Sequence, residues 1–471
     1  GCLVYLQSIY TDTNIFFVAL LCLCEGRPLL SQTSSSQLKM ADEGESIPTS
    51  EEKTTEKREE KKNEKIERPR PTHLLQWMEI TVSEPEKRTV ASMKMQDTFI
   101  VYLVETRVTD PSMRGYGEGA TSVWRRYSEF ELLRNYLDAT FPAVVVPPLP
   151  EKKASYTWQN ASTDKFDPDF VERRRAALEI FLLRVAAHPK LCQDKIFAGF
   201  LKEENGWKES VYATDFQSKA ESRLKALNAA FRLKKPDRRF EELKNYSNEL
   251  QNNIANILKI RTHLCDKLYG IHKVHANYAR VFHEWSLIEK DISQPLQSAG
   301  HYMDVYASSV DAALEEEEQY ADQLKEYYAF GDSLRSVCRR YECAQYDLER
   351  GEDTLSTKAI QRDLLAQGKS ANAFSLSGMK TKLFGGDTPE QRDVKLKQLE
   401  EQIAQTEIEL RQTTDETQVF VEAALRDIDR FKRQKVKDLR EIFTNYAVMQ
   451  IKQCKKGIAI WTSAKDCFSK M

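Results

Sequence analysis

Between residues 240 and 292 the chain sets apolar side chains at alternating steps of three and four: Phe240, Leu243, Leu250, Ile254, Ile257, Leu264, Leu268, Ile271, Tyr278, Phe282, Trp285 and Ile292. No proline interrupts the run before Pro295. That period lines one stripe of an α-helix and excludes a strand, whose side chains change face at every residue. A helix of this extent is about 80 Å long, well beyond a globular-domain helix, so its stripe can leave water only against partner helices. Two more helices are predicted, over 296–367 and 388–468. The last of them continues a seam at Leu396, Leu399, Ile403 and Leu410, then at Val436, Leu439, Phe443 and Tyr446. The 368–387 connection contains glycines and keeps no sustained period. Three long antiparallel helices with a flexible tip describe a coiled-coil bundle. The pattern establishes length and association but not curvature, and a filament rod or spacer would share it.

The chain ahead of this rod falls into two parts. Residues 41–70 are nearly all Glu, Lys, Ser, Thr and Pro, too poor in apolar groups to fold, and are predicted to be disordered. The apolar run at 15–24 is shorter than the roughly twenty residues a bilayer span takes. It lacks the preceding Lys or Arg of a signal peptide and follows Asp12. Met40-Ala41-Asp42-Glu43 reads as a natural start, so residues 1–39 are expected to be upstream translation, with a genuine targeting segment as the alternative. Residues 1–71 are therefore set aside as disordered or absent from the mature protein.

Residues 72–204 read as a compact α+β domain, with strands at 74–82, 99–107 and 123–126 and helices at 128–139, 168–187 and 193–201. Its most informative stretch is Trp124-Arg125-Arg126-Tyr127-Ser128-Glu129-Phe130. Ser128 and Glu131 have the spacing of a capping box, which starts a helix at Ser128. The first amides of that helix and the positive end of its dipole form a natural anion site. Arg125 and Arg126 precede it on extended chain, so only one of them can aim at the anion; Arg126 is assigned to it. A guanidinium holds a phosphate through two parallel hydrogen bonds, and Tyr127 offers a flat face for a sugar-like ring. The stiff Pro147-Pro148-Leu149-Pro150 run supplies one wall of a cleft, ending at Lys152. Each basic residue alone could as well be a surface charge paired with Glu129, Glu131 or Glu151.

As an ordered set, these segments, together with Asp169-Phe170-Val171-Glu172-Arg173-Arg174-Arg175 leading into Leu178 and Phe181, resemble the phox-homology (PX) domain of the sorting nexins. The resemblance implies that Arg126 holds the 3-phosphate of phosphatidylinositol 3-phosphate, with Ser128 beside it. It further implies that Tyr127 stacks on the inositol ring, Lys152 meets the 1-phosphate and Arg174 bonds the ring hydroxyls. Spacing alone does not distinguish the phosphoinositides. Behind such a domain, residues 205–471 look like a BAR domain, an all-α three-helix antiparallel bundle that dimerises into a curved six-helix module. The family implies early-endosome localisation, cargo recycling, autophagy-related traffic, and homo- or heterodimers with related sorting nexins.

Further membrane contacts are expected outside the pocket. Tyr156 and Trp158 follow Lys152 and are read either as packing residues or as side chains that insert into the membrane interface. Lys432, Arg433, Lys435 and Lys437, flanked by Arg430 and Arg440 and with Asp438 the only acid among them, form either a solvated helix face or a patch that attracts anionic lipid. Lys380 and Lys382 beside Met379, Leu383 and Phe384 are a second candidate at the tip. The 207–231 segment could form an amphipathic helix, expected to pack on its own bundle.

With 30% charged residues, a mean hydropathy of -0.58 and a formal net charge of -2, the chain is read as neither membrane-spanning nor a globally basic nucleic-acid binder. Its nine cysteines show no Cys-x-x-Cys pair, in keeping with free thiols in a reducing compartment. No P-loop, nucleophile elbow or His-Glu-x-x-His motif is present, so neither catalysis nor a cofactor is expected. His272, His275 and His283 lack the carboxylate or Cys set that would complete a metal site. The expected function is that of a peripheral membrane adaptor; the alternative is a coiled-coil tether whose PX domain serves protein contact.

Overall fold

The computed structural model describes residues 73–92, 95–110, 119–152, 166–218, 233–367 and 389–470, all within one compact unit, Pro69–Met471. The expectations for residues 1–71, for Tyr156 and Trp158, for 219–231 and for the Lys380 and Lys382 tip lie outside the described residues.

Strands β1 (Met78–Ser92), β2 (Met95–Val108) and β3 (Ala120–Arg126) form an antiparallel sheet in that order. The β1–β2 hairpin is longer than the sequence suggests, and Leu74–Gln76 form a 3-10 turn in place of the expected strand start. The reason is positional. Strand β3 ends with Arg126 opposite Val101, so the outer part of the hairpin overhangs the sheet. There residues 84–90 are mostly exposed, Val90 among them, and show no apolar alternation. A bulge between Ser83 and Glu86 separates the two halves, with Glu84 in the left-handed region at φ 40°.

Helices α1 (Tyr127–Thr140), α2 (Pro168–Ala187), α3 (Lys195–Lys202) and α4 (Trp207–Tyr212) complete this domain. The Asp167 carboxylate accepts the Phe170 N–H at the start of α2, just ahead of Pro168, and Asp194 accepts the Phe197 N–H at the start of α3. Ile80, Val82, Tyr102, Val104 and Val123 of the sheet meet Phe130, Leu178, Phe181, Phe197 and Phe200 of the helices in one core. Trp207 and Val211 of α4 belong to that same core. The chain beyond Glu204 therefore begins packed on the sheet domain, a correction to the expectation that it packs on the bundle.

Three long helices follow: α5 (Arg238–Ser286), α6 (Ser293–Ala366) and α7 (Pro389–Phe468). At 1.5 Å per residue they are about 74, 110 and 120 Å long. Helix α5 stops at Ser286, short of the expected end at Ile292, because residues 287–292 make the turn into α6. Pro295 sits in the first turn of α6, where a missing N–H costs no intrahelical bond. Phe240, Leu243 and Ile254 of α5, Leu324, Tyr327 and Phe330 of α6, and Val421, Ile428 and Phe431 of α7 share the bundle core.

The seam departs from the expected pattern in two ways. It carries buried polar groups: the Arg261 Nε donates to the Glu317 carbonyl at 2.9 Å, and its guanidinium pairs with Glu318. Toward the end of α5 the stripe emerges into solvent, with Tyr278 51% and Ile288, just beyond the helix, 77% exposed.

The two cores meet at residues 144–146. Val144 and Val146 belong to the sheet-domain core, and Val145 between them lies 1% exposed in the bundle core. Alternation along extended chain puts one valine into each domain in turn.

Candidate functional site

Extended backbone at the end of β3 sends its two arginines to opposite faces. Arg125 turns inward and is 1% exposed. Its guanidinium donates to the Phe200 carbonyl at 2.8 and 3.0 Å and to the Glu203 carbonyl at 2.5 Å, and it pairs with Glu129 at 3.5 Å. These carbonyls end α3, where the negative end of the helix dipole favours a cation. Arg125 is therefore part of the fold. Arg126 lies on the other face, its guanidinium 3.5 Å from the centroid of the Phe99 ring on the overhanging part of β2.

Helix α1 begins at Tyr127, one residue earlier than the spacing predicts, with Arg126 at the N-cap. The Arg126 N–H donates to the Glu129 carboxylate at 2.8 Å, so Glu129, not Glu131, closes the helix start. Ser128 is exposed in the first turn, among the amides that lack an intrahelical acceptor.

Tyr127 is the hub of the site. Its hydroxyl donates to the Pro150 carbonyl at 2.6 Å, and burial pushes its pKa up to about 12, which keeps the proton on the donor. The Arg174 guanidinium lies 4.7 Å from the Tyr127 ring and 4.3 Å from the Phe170 ring, and donates to the Lys152 carbonyl at 2.6 Å. Arg174 is 9% exposed and its buried Nε reaches no acceptor. Tyr102, wholly buried, lies within its electrostatic reach. The Lys152 ammonium, two-thirds exposed, sits 2.7 Å from the Glu131 carboxylate. An ion pair so wetted is worth at most about 1 kcal/mol, which an incoming phosphate can outbid.

The structure thus gathers Arg126, Tyr127, Lys152 and Arg174 along the start of α1, the proline wall and α2. Sequence reasoning missed Phe99, Phe170 and Tyr102. Phe170 was within reach, since it precedes Arg174 by one helical turn. Phe99 was not, because only the β1–β2 register carries it to Arg126.

The basic run on α7 divides. The Lys435 ammonium donates to the Tyr246 hydroxyl of α5, and the Lys432 ammonium lies 6.0 Å from the same ring. Arg433, Lys437 and Arg440 are exposed at helical spacing on one face. Asp438 is drawn away from them, accepting from Arg184 of α2 and from the Tyr327 hydroxyl at 2.5 Å each. Among the histidines, His272 sits 3.0 Å from the Ala307 carbonyl through Nδ1, and His275 packs edge-on to Tyr306 at 4.6 Å. Among the described residues no cluster of His, Cys, Asp and Glu could hold a metal.

An arginine and a tyrosine handed from a three-stranded sheet to a helix start, a proline wall across from them, and a rod of three long helices behind define a PX domain joined to a BAR-type module. Residues 113–204 match the PX domain family. The chain belongs to the sorting nexins, which are membrane-associated sorting adaptors without a catalytic role. It is 57% identical to sorting nexin-4 of Mus musculus over 398 residues, which covers 84% of this chain and 88% of that protein. Against sorting nexin-4 of Homo sapiens the identity is 56% over 404 residues, covering 85% and 89%; against that of Saccharomyces cerevisiae it is 25% over 401 residues, covering 83% and 93%. The fold is similar to the cryo-EM structure of the SNX-BAR Mvp1 tetramer, with TM-score 0.53 and 17% identity over 82% of this chain and 99% of that one. A sorting nexin with a PX domain implies peripheral association with endosomal membrane, and among the described residues no helix is long and apolar enough to cross a bilayer.

Proposed function

We propose that this protein reads phosphatidylinositol 3-phosphate on early endosomes and, as a dimer, senses or shapes curved membrane during cargo recycling and autophagy-related transport. The headgroup reader is residues 72–204 with α4 packed on it, and the dimerisation module lies in the rest of 205–471. Arg126 takes the 3-phosphate together with the first amides of α1 near Ser128, Tyr127 lies against the inositol ring, Lys152 meets the 1-phosphate, and Arg174 bonds the ring hydroxyls. The observation that carries this reading is Arg174: a cation more than nine-tenths buried, held between two aromatic rings, with an Nε that reaches no acceptor. A buried cation in that state is costly unless an acceptor arrives.

Dimerisation is supported by the stripe at the end of α5. Tyr278, Val281 and Trp285, continued by Ile288, are all 44% exposed or more in the single chain. A second copy or a related sorting nexin covers it, and two pockets then share one membrane, so the second binding event is effectively intramolecular. Arg433 and Lys437 add attraction to anionic lipid, and Tyr156 and Trp158 are kept as interface anchors.

Liposome flotation tests the proposal against a tether that uses its PX domain for protein contact. Wild type is expected to float with vesicles carrying phosphatidylinositol 3-phosphate and Arg126→Ala to remain at the bottom. Equal flotation of both proteins, or none with wild type, favours the tether. Size determination alone and with a related sorting nexin identifies the dimer partner.

A further inference from the structure

The wall of the headgroup pocket is tied at both ends, and its inner end is held by the bundle. At the outer end the Pro150 carbonyl accepts from Tyr127 at 2.6 Å and the Lys152 carbonyl from Arg174 at 2.6 Å. Midway, the Pro147 carbonyl accepts from Arg134 at 3.3 Å and Leu149 packs on the sheet-domain core. At the inner end the Val146 carbonyl accepts from the Ser333 hydroxyl of α6 at 2.8 Å, and the Val145 N–H donates to the Asp427 carboxylate of α7 at 2.8 Å. Both of those bonds are buried.

Asp427 is itself fixed from three sides. Besides Val145 it accepts from Arg430 at 2.8 Å and meets the His188 Nε2 at 2.8 Å. The His188 Nδ1 takes the N–H groups of Lys190 and Leu191 at 3.1 and 3.2 Å, so Nδ1 carries no proton and Nε2 is the donor to Asp427. Between the anchored ends run Pro147, Pro148 and Pro150, whose rings hold φ near one value and leave little slack. Displacement at one end of such a strut is felt at the other.

We propose that Ser333 and Asp427, both on the bundle and neither in the pocket, are positioning residues for headgroup binding: they set the place of the proline wall against which Tyr127 and Arg174 are aligned. When Arg174 turns from the Lys152 carbonyl to a ligand, the wall gives up one outer tie and keeps the Tyr127 bond at Pro150, and its place is then set by that bond and by the bundle. Occupancy of the pocket and the seating of the wall on the bundle are then reciprocally linked. This rests on the phosphoinositide reading above.

The test is calorimetric titration of the full chain with dibutanoyl phosphatidylinositol 3-phosphate, which is too short to report membrane avidity. Ser333→Ala and Asp427→Asn are each expected to weaken binding about fivefold or more. Glu326→Gln is the control. It removes the charge and one of the two acceptor oxygens that meet Arg184 at 2.7 and 2.8 Å, in the same interface but off the loop, and is expected to bind as wild type does. In a Pro147→Gly, Pro148→Gly background the softened strut should no longer transmit, so that Ser333→Ala has no further effect. Hydrogen exchange at 143–149 is expected to slow when wild type is saturated with the same lipid. Unchanged affinity in Ser333→Ala and Asp427→Asn, with exchange at 143–149 unaltered, overturns the positioning role and leaves the pocket standing. Equal weakening in Glu326→Gln overturns it too, tracing the effect to domain seating in general. Failure of wild type to bind overturns the pocket and the strut together.

Discussion

Arg125 and Arg126 are neighbours in sequence, yet the structure separates their roles so sharply that removing each should give opposite phenotypes. Arg125→Ala deletes a guanidinium that is 1% exposed, makes several bonds to the carbonyls that end α3, and is paired with Glu129. Each charge-assisted bond is worth about 1.5–3 kcal/mol. Because they act as a unit, the cost is nearer the roughly 3–5 kcal/mol of breaking a buried ionic group than their sum. Arg126→Ala removes a half-buried side chain resting on Phe99 and leaves the α1 start intact, because the backbone N–H of residue 126, not its side chain, donates to Glu129. Its stability cost should stay under about 1 kcal/mol. Its binding cost is that of a bidentate phosphate contact, about 2–3 kcal/mol, or roughly thirty- to a hundred-and-fifty-fold in affinity. Urea denaturation of the full chain reads the first quantity, and titration with short-chain phosphatidylinositol 3-phosphate reads the second. Comparable destabilisation by the two variants, or retained binding in Arg126→Ala, refutes the assignment.

Three other outcomes follow from particular groups. Burial pushes the His188 imidazole below its ordinary value of 6.5 although Asp427 opposes this, so the unfolded chain takes up the proton first and stability is lost as pH falls below about 6.5. Asp427 acts lower: burial works against it, but His188 and Arg430 hold it to about 2, so its contribution is full above its ordinary 3.8 and lost as pH falls toward 2. The urea midpoint should drop between pH 7.5 and 5.5, and His188→Asn should flatten that drop; an unchanged slope contradicts the neutral imidazole. Burial raises the Glu317 carboxyl, whose Oε2 finds no hydrogen-bond partner, so Glu317→Gln is expected to leave thermal stability unchanged or raise it at pH 7, and a clear loss would show the acid to be needed. Reversing Arg433 and Lys437 to Glu should reduce flotation with vesicles rich in anionic lipid, more so at low salt, while leaving the soluble headgroup affinity alone; unaltered flotation removes these residues from the membrane contact.

Much of the rod was readable because apolar periodicity over fifty residues admits one solution. Its limits were less so. The Ser286 end of α5 is set by a turn whose Leu287 and Ile288 are apolar and exposed, which no amphipathic pattern anticipates. Arg261 and Ser247 occupy seam positions because polar partners on neighbouring helices or their own backbone receive them, and those partners are invisible locally. At the site, Arg126, Tyr127 and Lys152 could be picked out because local geometry constrains them, a strand end, a helix start and a proline run, whereas Arg174 was reached only through the family resemblance of the segment around it. Ser128 and Glu131 match the favoured capping spacing, yet Arg126 holds the N-cap and Glu129 closes the helix start, a choice that the local sequence does not reveal. The Val145–Asp427 bond joins residues 282 apart, and nothing in either neighbourhood announces it. Lys432 and Lys435 looked like members of one lipid-facing cluster because a linear count cannot tell that Tyr246 lies across from them.

The central claim is that a guanidinium at 126, an aromatic ring at 127 and the buried cation at 174 together select one phosphorylated inositol. Titration of the full chain with a panel of short-chain lipids, phosphatidylinositol and its 3-, 4- and 5-monophosphates, measures this without avidity or curvature. The account predicts saturable binding at one site per protomer for the 3-phosphate, at least tenfold weaker for the other two monophosphates and undetectable for the unphosphorylated lipid, a margin of about 1.4 kcal/mol or more. Equal affinity for all three monophosphates, or binding that survives Arg126→Ala, contradicts it.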